Sequence, residues 1–351
     1  MQATAWNRKA LLSSFEKSSS SLRPAIALAC DLALFGAGFA LVLMAGSLVL
    51  KLVGTIVVTC GIVRLFLIGH DACHGSLFGN ATLNSVCGRV AFLPSLTAFS
   101  LWEVGHNVAH HGFNNLKGRD QVWAPYSKAE YDALPRHRRI LERLYRCGLG
   151  WGAYYLIEMW WKKLYFASRK EIGSSRRKYK LDSALVTAGA VCWLATAALV
   201  ARSTEQSFLL LVMLGVLGPF LLWNGIIGFV VYLHHTNPRI AWFQKRHEWQ
   251  RCRAYLTSTA GVRFPLGLDR LMHSIMEHHA HHLNPRIPMF ALRDAEKMLQ
   301  ERFPELCSYR LDRNTYLDSV RRCKLYDYTN HAWLDFAGRI TARVPLSAAQ
   351  A

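Results

Sequence analysis

The chain has 351 residues, of which 52% are hydrophobic, and its formal net charge at pH 7 is +19. That length allows one large domain or two small ones. The apolar residues are concentrated in a few long runs, which favours membrane spans over a soluble core. The Lys/Arg excess then indicates a face beside a membrane, not a nucleic-acid surface.

The first 24 residues are polar and include four consecutive serines at positions 18–21. Because no short apolar core with a small-residue cleavage site precedes the first long run, we expect no removable signal peptide. We predict that residues 1–24 form a mobile cytoplasmic tail.

Four apolar runs follow, and each approaches or exceeds the roughly 20 residues that cross a hydrocarbon core. They lie at 25–50, 52–69, 183–201 and 208–233. The short links between runs predict two helical hairpins, with the first turn at Lys51. Residues 103–182 carry sixteen Lys/Arg, whereas the hairpin tips carry only Lys51 and Arg202. The positive-inside rule therefore places both termini and the middle segment in the cytoplasm, in a bacterial inner membrane.

Two shorter apolar stretches do not fit a span. Residues 86–101 are broken by Pro94, which favours a re-entrant or interfacial helix, and residues 151–166 mix aromatic side chains with Lys162 and Lys163. The second composition is typical of a helix in the headgroup layer. The predicted domains are thus the tail, a membrane domain at 25–292 and a cytoplasmic extension at 293–351. That extension holds a helix at 294–302 and a loose tail from 339.

The histidines are the strongest signal in the chain. Four clusters lie just after or beyond the ends of the apolar runs, and the predicted topology puts them all on one side of the membrane. In three clusters, pairs at i and i+3 or i+4 would share one helical face. The clusters are His70/His74, His106/His110/His111, His234/His235 and His278/His279/His281/His282.

This convergence predicts a metal centre. Imidazole suits Zn, Cu, Fe and Ni, and a structural zinc needs only four ligands, whereas about nine histidines are suitably placed here. The nine cysteines form no C-x-x-C pair, and neither H-E-x-x-H nor paired Glu-x-x-His is present. Two non-haem iron ions in an all-histidine shell remain the simplest interpretation. The predicted fold class is an all-α membrane protein with a cytoplasmic helical cap that holds this centre.

The histidine spacing resembles that of the membrane fatty-acid desaturases and their hydroxylase relatives, over roughly residues 25–292. The H-x3-H, H-x3-H-H and H-x2-H-H boxes carry the resemblance. The motif His234-His235-Thr236-Asn237-Pro238 and the run Pro285-Arg286-Ile287-Pro288 are similar to the acyl-lipid, omega-6 (delta-12) branch. The resemblance implies that His235 joins the metal shell and that His234 lies just outside it. The implied ligands are His70, His74, His106, His110, His111, His235, His278, His281 and His282.

The resemblance implies an O2-dependent desaturase that uses two electrons to introduce a cis double bond into an acyl chain of an acyl lipid or acyl carrier. The electrons would come from an external ferredoxin-like or cytochrome b5-like donor. The middle box has one more residue than many acyl-lipid desaturases, and Gly75-Ser76 after the first box is similar to carotenoid ketolases. A hydroxylase, acetylenase or ketolase on the same scaffold stays open, as does a non-enzymatic metal- or haem-binding membrane protein.

Metal-binding imidazoles usually donate their second ring N–H to an orienting partner. Several residues near the clusters are candidates for this role, or for contact with the rings. They are Asp71, Glu103, Asn107, His234, His273, Glu277 and His279.

Overall fold

A computed structural model describes residues 12–16, 21–166, 176–344 and 346. The chain forms two compact units. One comprises Ser18–Gly105 and Gly152–Gly228, and we call it the span unit. The other comprises Met1–Lys17, His106–Trp151 and Phe229–Ala351, and we call it the histidine unit.

Within the described part of the chain, four helices are long and apolar enough to cross a membrane, as predicted: Leu22–Met44, Leu48–Cys73, Arg177–Thr204 and Phe208–His235. We call the first two α1 and α2. The mostly helical fold with four apolar spans confirms the predicted fold class. Asp31, the one acid of α1, is buried and accepts a hydrogen bond from the Arg64 guanidinium of α2 at 2.6 Å, so this carboxylate does not face lipid alone.

The first hairpin turns earlier than the sequence suggested. The break falls between Met44 and Leu48, and the Ser47 hydroxyl caps α2 by accepting the Leu50 N–H. Lys51 therefore lies inside α2, where its ammonium donates to the Val42 carbonyl at 2.6 Å. The turn predicted at Lys51 lies instead at Ser47, because a serine hydroxyl can cap the first N–H groups of a helix and a lysine ammonium cannot.

Shorter helices follow α2, and from His106 on they belong to the histidine unit. After α2 come α3 (Ala81–Phe92), a 3-10 turn at Leu93–Ser95, and α4 (Phe99–Trp102). This broken path is consistent with the re-entrant interpretation of residues 86–101. α4 continues as a π-helical stretch at Glu103–His110 and as α5 (His111–Phe113).

The later helices follow in chain order. They are α6 (Lys128–Ala133), α7 (Arg136–Tyr145), α8 (Trp151–Tyr154) with a π-helical continuation at Tyr155–Tyr165, α9 (Arg176–Thr204), α10 (Phe208–Val212) with a π-helical continuation at Met213–Leu217, and α11 (Gly218–His235). α10, its continuation and α11 together make the fourth span. π-helical turns recur along this chain, and such turns are often found at functional sites.

The histidine unit adds helices, among them the one predicted at 294–302, and two small sheets that the sequence analysis did not predict. The helices are α12 (Arg246–Arg251), α13 (Ala254–Thr257), α14 (His278–Leu283), α15 (Leu292–Arg302) and α16 (Arg313–Arg322). Strands β1 (Gly261–Arg263) and β2 (Ser308–Arg310) pair in parallel, and β3 (Leu325–Asp327), β4 (Ala332–Leu334) and β5 (Ile340–Arg343) form an antiparallel sheet in that order.

Two expectations for the chain ends need correction. The region from 339 is not all loose tail, because β5 pairs with β4. Near the other end, Leu12 is fully buried among apolar residues that include Leu256 and Leu283, and the Glu16 carboxylate accepts from the Asn284 amide. The described residues 12–16 are therefore docked on the histidine unit, because burying one leucine outweighs the freedom of a short tail. The remainder of the predicted tail before residue 21 lies outside the described residues.

Candidate metal centre

Four histidines of the histidine unit form a closed group. His110, His235, His278 and His282 are all buried, and one ring nitrogen from each lies within 4.8 Å of the others. They come from the π-helical stretch, the end of α11 and α14. His278 and His282 meet because residues i and i+4 share one face of α14.

Hydrogen bonds fix which nitrogen of three of these rings carries the proton. His278 Nδ1 lies 3.2 Å from the Ile275 carbonyl oxygen. His110 Nδ1 lies 3.1 Å from the Asp120 carboxylate, and His235 Nδ1 lies 3.3 Å from the Asn115 amide oxygen. Each partner only accepts, so each Nδ1 donates and each Nε2 keeps a lone pair.

The lone pairs of His278 and His235 face each other, because their Nε2 atoms lie 3.3 Å apart. The Nε2 atom of His282 lies 3.2 Å from that of His278. Two unprotonated nitrogens at that separation repel, and a shared cation between them removes the repulsion. Burial also lowers the pKa of His278 and of His282 well below the usual range, and neighbouring imidazoles lower it further. The rings are therefore neutral, which is the form that binds metal.

A second set in the same unit contains His106, His111 and His281, whose ligating nitrogens also lie within 4.8 Å of one another. His106 and His111 are five residues apart, and their Nε2 atoms are 3.1 Å apart. The π-helix explains this contact, because its i→i+5 hydrogen bonding brings residues five apart onto one face.

The first predicted cluster lies in the span unit. His70 and His74, at the end of α2, have ring centroids 4.6 Å apart, and His70 Nδ1 lies 3.3 Å from the carboxylate of Asp71. The Asp71 contact is one that the sequence analysis anticipated.

Three orienting groups escaped sequence analysis. Asp120 holds His110, and its carboxylate also accepts the backbone N–H groups of Asn115 and Val122. Asn115 faces His235 and donates to the Ala241 carbonyl, which fixes its amide orientation. A sequence signal existed for Asp120, an acid ten residues after His110, but none distinguished it from other loop acids.

Glu296 is the third such group, and it comes from α15 in the extension. Its carboxylate lies 2.7 Å from His279 Nδ1 and accepts the Ala280 N–H at 2.9 Å. The side chains of Glu296 and His279 are both fully buried. Burial alone would raise the pKa of Glu296, but His279 and the N–H of Ala280 lower it below the ordinary value. The buried Glu296 carboxylate therefore holds α14 at His279 and Ala280, which lie between His278 and His281.

The other predicted neighbours take varied positions. The Glu103 carboxylate pairs with Lys178, and Glu277, whose pKa is raised by burial, lies 3.5 Å from Arg293. The ring of His234 stacks on that of His278 with centroids 3.7 Å apart. Asn107 is half-buried in the π-helical stretch, and His273 has a left-handed backbone.

The donor set fits a metal with neutral nitrogen ligands. Imidazoles converge in two groups. Where a carboxylate meets one of these rings, as Asp120 meets Nδ1 of His110, it turns the opposite nitrogen toward the group. Such a shell is compatible with iron, copper, zinc or nickel on ligand chemistry alone.

Comparison with known proteins adds an independent observation. A sequence model of the family described as fatty acid desaturase matches residues 47–313. The sn-1 oleoyl-lipid 12-desaturase of Picosynechococcus is 29% identical over 278 residues, which are 78% of this chain and 75% of that relative. The chloroplastic omega-6 fatty acid desaturase of Brassica napus is 30% identical over 67% of this chain. The chain spans about half of that plant relative, 51%. The fatty acid desaturase of Bacillus subtilis is 29% identical over 72% of this chain and 68% of its own length.

Proposed function

The chain belongs to the fatty acid desaturase family, and from that premise we propose that it introduces a cis double bond at the delta-12 position of an oleoyl chain held in an acyl lipid. It is a membrane protein and an oxidoreductase of this class. The proposed position follows the names of its relatives, which include oleoyl-lipid 12-desaturases and omega-6 desaturases.

The observation that carries the proposal is the convergence of ring nitrogens from four buried histidines, among which the unprotonated Nε2 atoms of His235 and His278 lie 3.3 Å apart. We propose two iron ions as the cofactor. His110, His235, His278 and His282 would hold one iron. His106, His111 and His281 would hold the other, together with His70 and His74, which the predicted topology puts at the same membrane face.

The loaded centre supplies the oxidising power for an overall reaction in which –CH2–CH2–, O2, two electrons and two protons become –CH=CH– and two waters. The protein's residues prepare the site for this. Asp120, Asn115 and the Ile275 carbonyl keep three protons on Nδ1, so that Nε2 faces the metal. Burial of the rings excludes water, which would otherwise compete for ligand positions.

The surroundings of the reaction are also proposed. The Lys/Arg distribution supports a cytoplasmic active site in a bacterial inner membrane. A soluble carrier of the ferredoxin or cytochrome b5 kind would then supply electrons from that side. The acyl chain, already dissolved in the bilayer, would reach the site from the membrane.

The test is production of a new unsaturated chain together with measurement of bound iron. A bacterial host supplied with oleic acid and a ferredoxin–reductase pair expresses the wild type, His110→Ala or His247→Ala. His247 is a matched control because its side chain is 75% exposed. Gas chromatography–mass spectrometry should find an acyl chain with two fewer hydrogens and a delta-12 double bond in the wild type and the control only.

Metal analysis of the purified proteins shows whether a missing product is due to loss of bound iron or to lack of an electron donor. We expect about two irons per chain in the wild type and in His247→Ala, and at most half of that in His110→Ala, because loss of even the hydrogen-bond partner of a ligand typically costs about 10–100-fold in metal affinity. Equal iron in all three would refute the ligand assignment. A product that gains oxygen instead of losing hydrogen would favour a hydroxylase.

A further inference from the structure

A short segment between β1 and α14 exposes leucines outside the four spans. We call Pro265–Met272 the leucine loop. Leu266 is 93% exposed, Leu268 47% and Leu271 58%. A contiguous exposed apolar patch on a protein marks a contact with another molecule or with a membrane.

The backbone holds these leucines outward. Leu266 has φ of 58° and Gly267 has φ of 70°, so a branched side chain occupies the left-handed region that normally favours glycine. The loop is fixed from within, because the buried Asp269 carboxylate accepts the Phe264 N–H at 3.3 Å. Asp269 turns its charge inward, whereas Arg270 is exposed. The outer surface of the loop is therefore apolar and basic.

The depth of the loop follows from its contact with the fourth span. The ring of Phe264, directly before the loop, lies 6.4 Å from the ring of Phe229 in α11. Phe229 precedes the helix end at His235 by six residues, which is about 9 Å along an α-helix. The loop thus begins at a level inside the end of a membrane-spanning helix.

Other residues around Phe229 support this depth. Trp151 and Tyr316 have ring centroids 5.2 Å and 5.6 Å from Phe229. Tryptophan and tyrosine are enriched at the level of the lipid headgroups. Leu149, two residues before Trp151, is 81% exposed.

We propose that the leucine loop is inserted into the lipid leaflet at the bilayer surface where α11 ends, with Leu266 and Leu268 among the acyl chains and Arg270 at anionic headgroups. The ring contact between Phe264 and Phe229 of the fourth span, the aromatic residues at the same level and the outward arginine all fit a lipid surface. The inference rests on the contact with the fourth span and not on the proposed reaction. Insertion of the loop would also set how close to the bilayer α14 lies, because α14 begins five residues after the loop.

Photo-crosslinking in the full chain tests the proposal. The photoreactive residue p-benzoylphenylalanine replaces Leu266, Leu268 or Lys297, and each protein is placed in nanodiscs of phosphatidylcholine and phosphatidylglycerol. Lys297 is the control, because its side chain is 77% exposed on α15 of the same unit. Position 268 is included because a substitution at Leu266, which has a positive φ, could disturb the backbone, whereas Leu268 has no positive φ.

Mass spectrometry after irradiation should find lipid adducts at 266 and 268 at a yield at least tenfold above that at 297. Yields equal to that at 297 would overturn the proposal. Crosslinked dimers without lipid adducts would overturn it as well, because they would identify a second copy of the chain as the occupant.

Discussion

At the scale of single residues, the metal-binding chemistry depends on groups that are not histidines. Imidazole can present either nitrogen, so an acceptor on one side decides which lone pair faces the metal. Asp120, Asn115 and a backbone carbonyl make that choice here. Glu296 does not touch a proposed ligand, but it holds His279 and Ala280, which lie between ligands on α14.

Replacing Glu296 by Gln should therefore loosen α14. The amide keeps the size of the side chain but removes the negative charge and one of the accepting oxygens, so a buried N–H loses its partner. We expect the free energy of unfolding to fall by about 1–3 kcal/mol and the bound iron to decrease.

Thermal unfolding in detergent and metal analysis measure both effects. The matched control is Glu301→Gln on the same helix, where the side chain is 68% exposed. If Glu296→Gln keeps full stability and full bound iron, the contact of Glu296 with His279 and Ala280 does not position α14.

At the scale of elements, the first hairpin is held by close approach of two helices. A Cβ built on Gly61 of α2 would lie 2.8 Å from the Phe35 Cα of α1, and one on Gly38 would lie 2.7 Å from the Val58 nitrogen. Small residues let helices in lipid approach closely, where packing rather than the hydrophobic effect drives association.

Gly61→Ala should accordingly push α1 and α2 apart, since the contact is with backbone that cannot rotate away. We expect a loss of about 1–3 kcal/mol in stability, measured as a lower unfolding midpoint in detergent. Gly36→Ala on α1 is the control because a Cβ there meets nothing within 4 Å. If both variants behave alike, the hairpin does not depend on this contact.

At the scale of the whole molecule, the buried histidines link stability to pH when metal is removed. Burial lowers the pKa of His278 and His282 well below 6.5 in the folded state, so the unfolded chain binds more protons below that pH. The stability that these rings contribute is therefore present above about pH 6.5 and is lost as pH falls toward their folded pKa.

We expect the unfolding midpoint of chelator-treated protein to fall between pH 7 and pH 5. Each neutral histidine contributes a slope that rises to about 1.4 kcal/mol per pH unit as pH falls below 6.5, where the unfolded histidine becomes protonated. His282→Gln should reduce the slope, whereas the exposed His247→Ala should not. A midpoint independent of pH over this range would contradict the proposed neutral cluster.

The sequence by itself determined the membrane class, the four spans and the three-box histidine spacing, and these predicted the family correctly. Such features are local: hydrophobic length and the i, i+3, i+4 relation follow from helix geometry alone. Only the tertiary structure decided that the hairpin turns before Ser47, that His106 meets His111 through a π-helix, and that Glu296 reaches α14 from the extension. These depend on capping, on an irregular helical turn and on contacts between residues far apart in the chain, none of which composition or periodicity encodes.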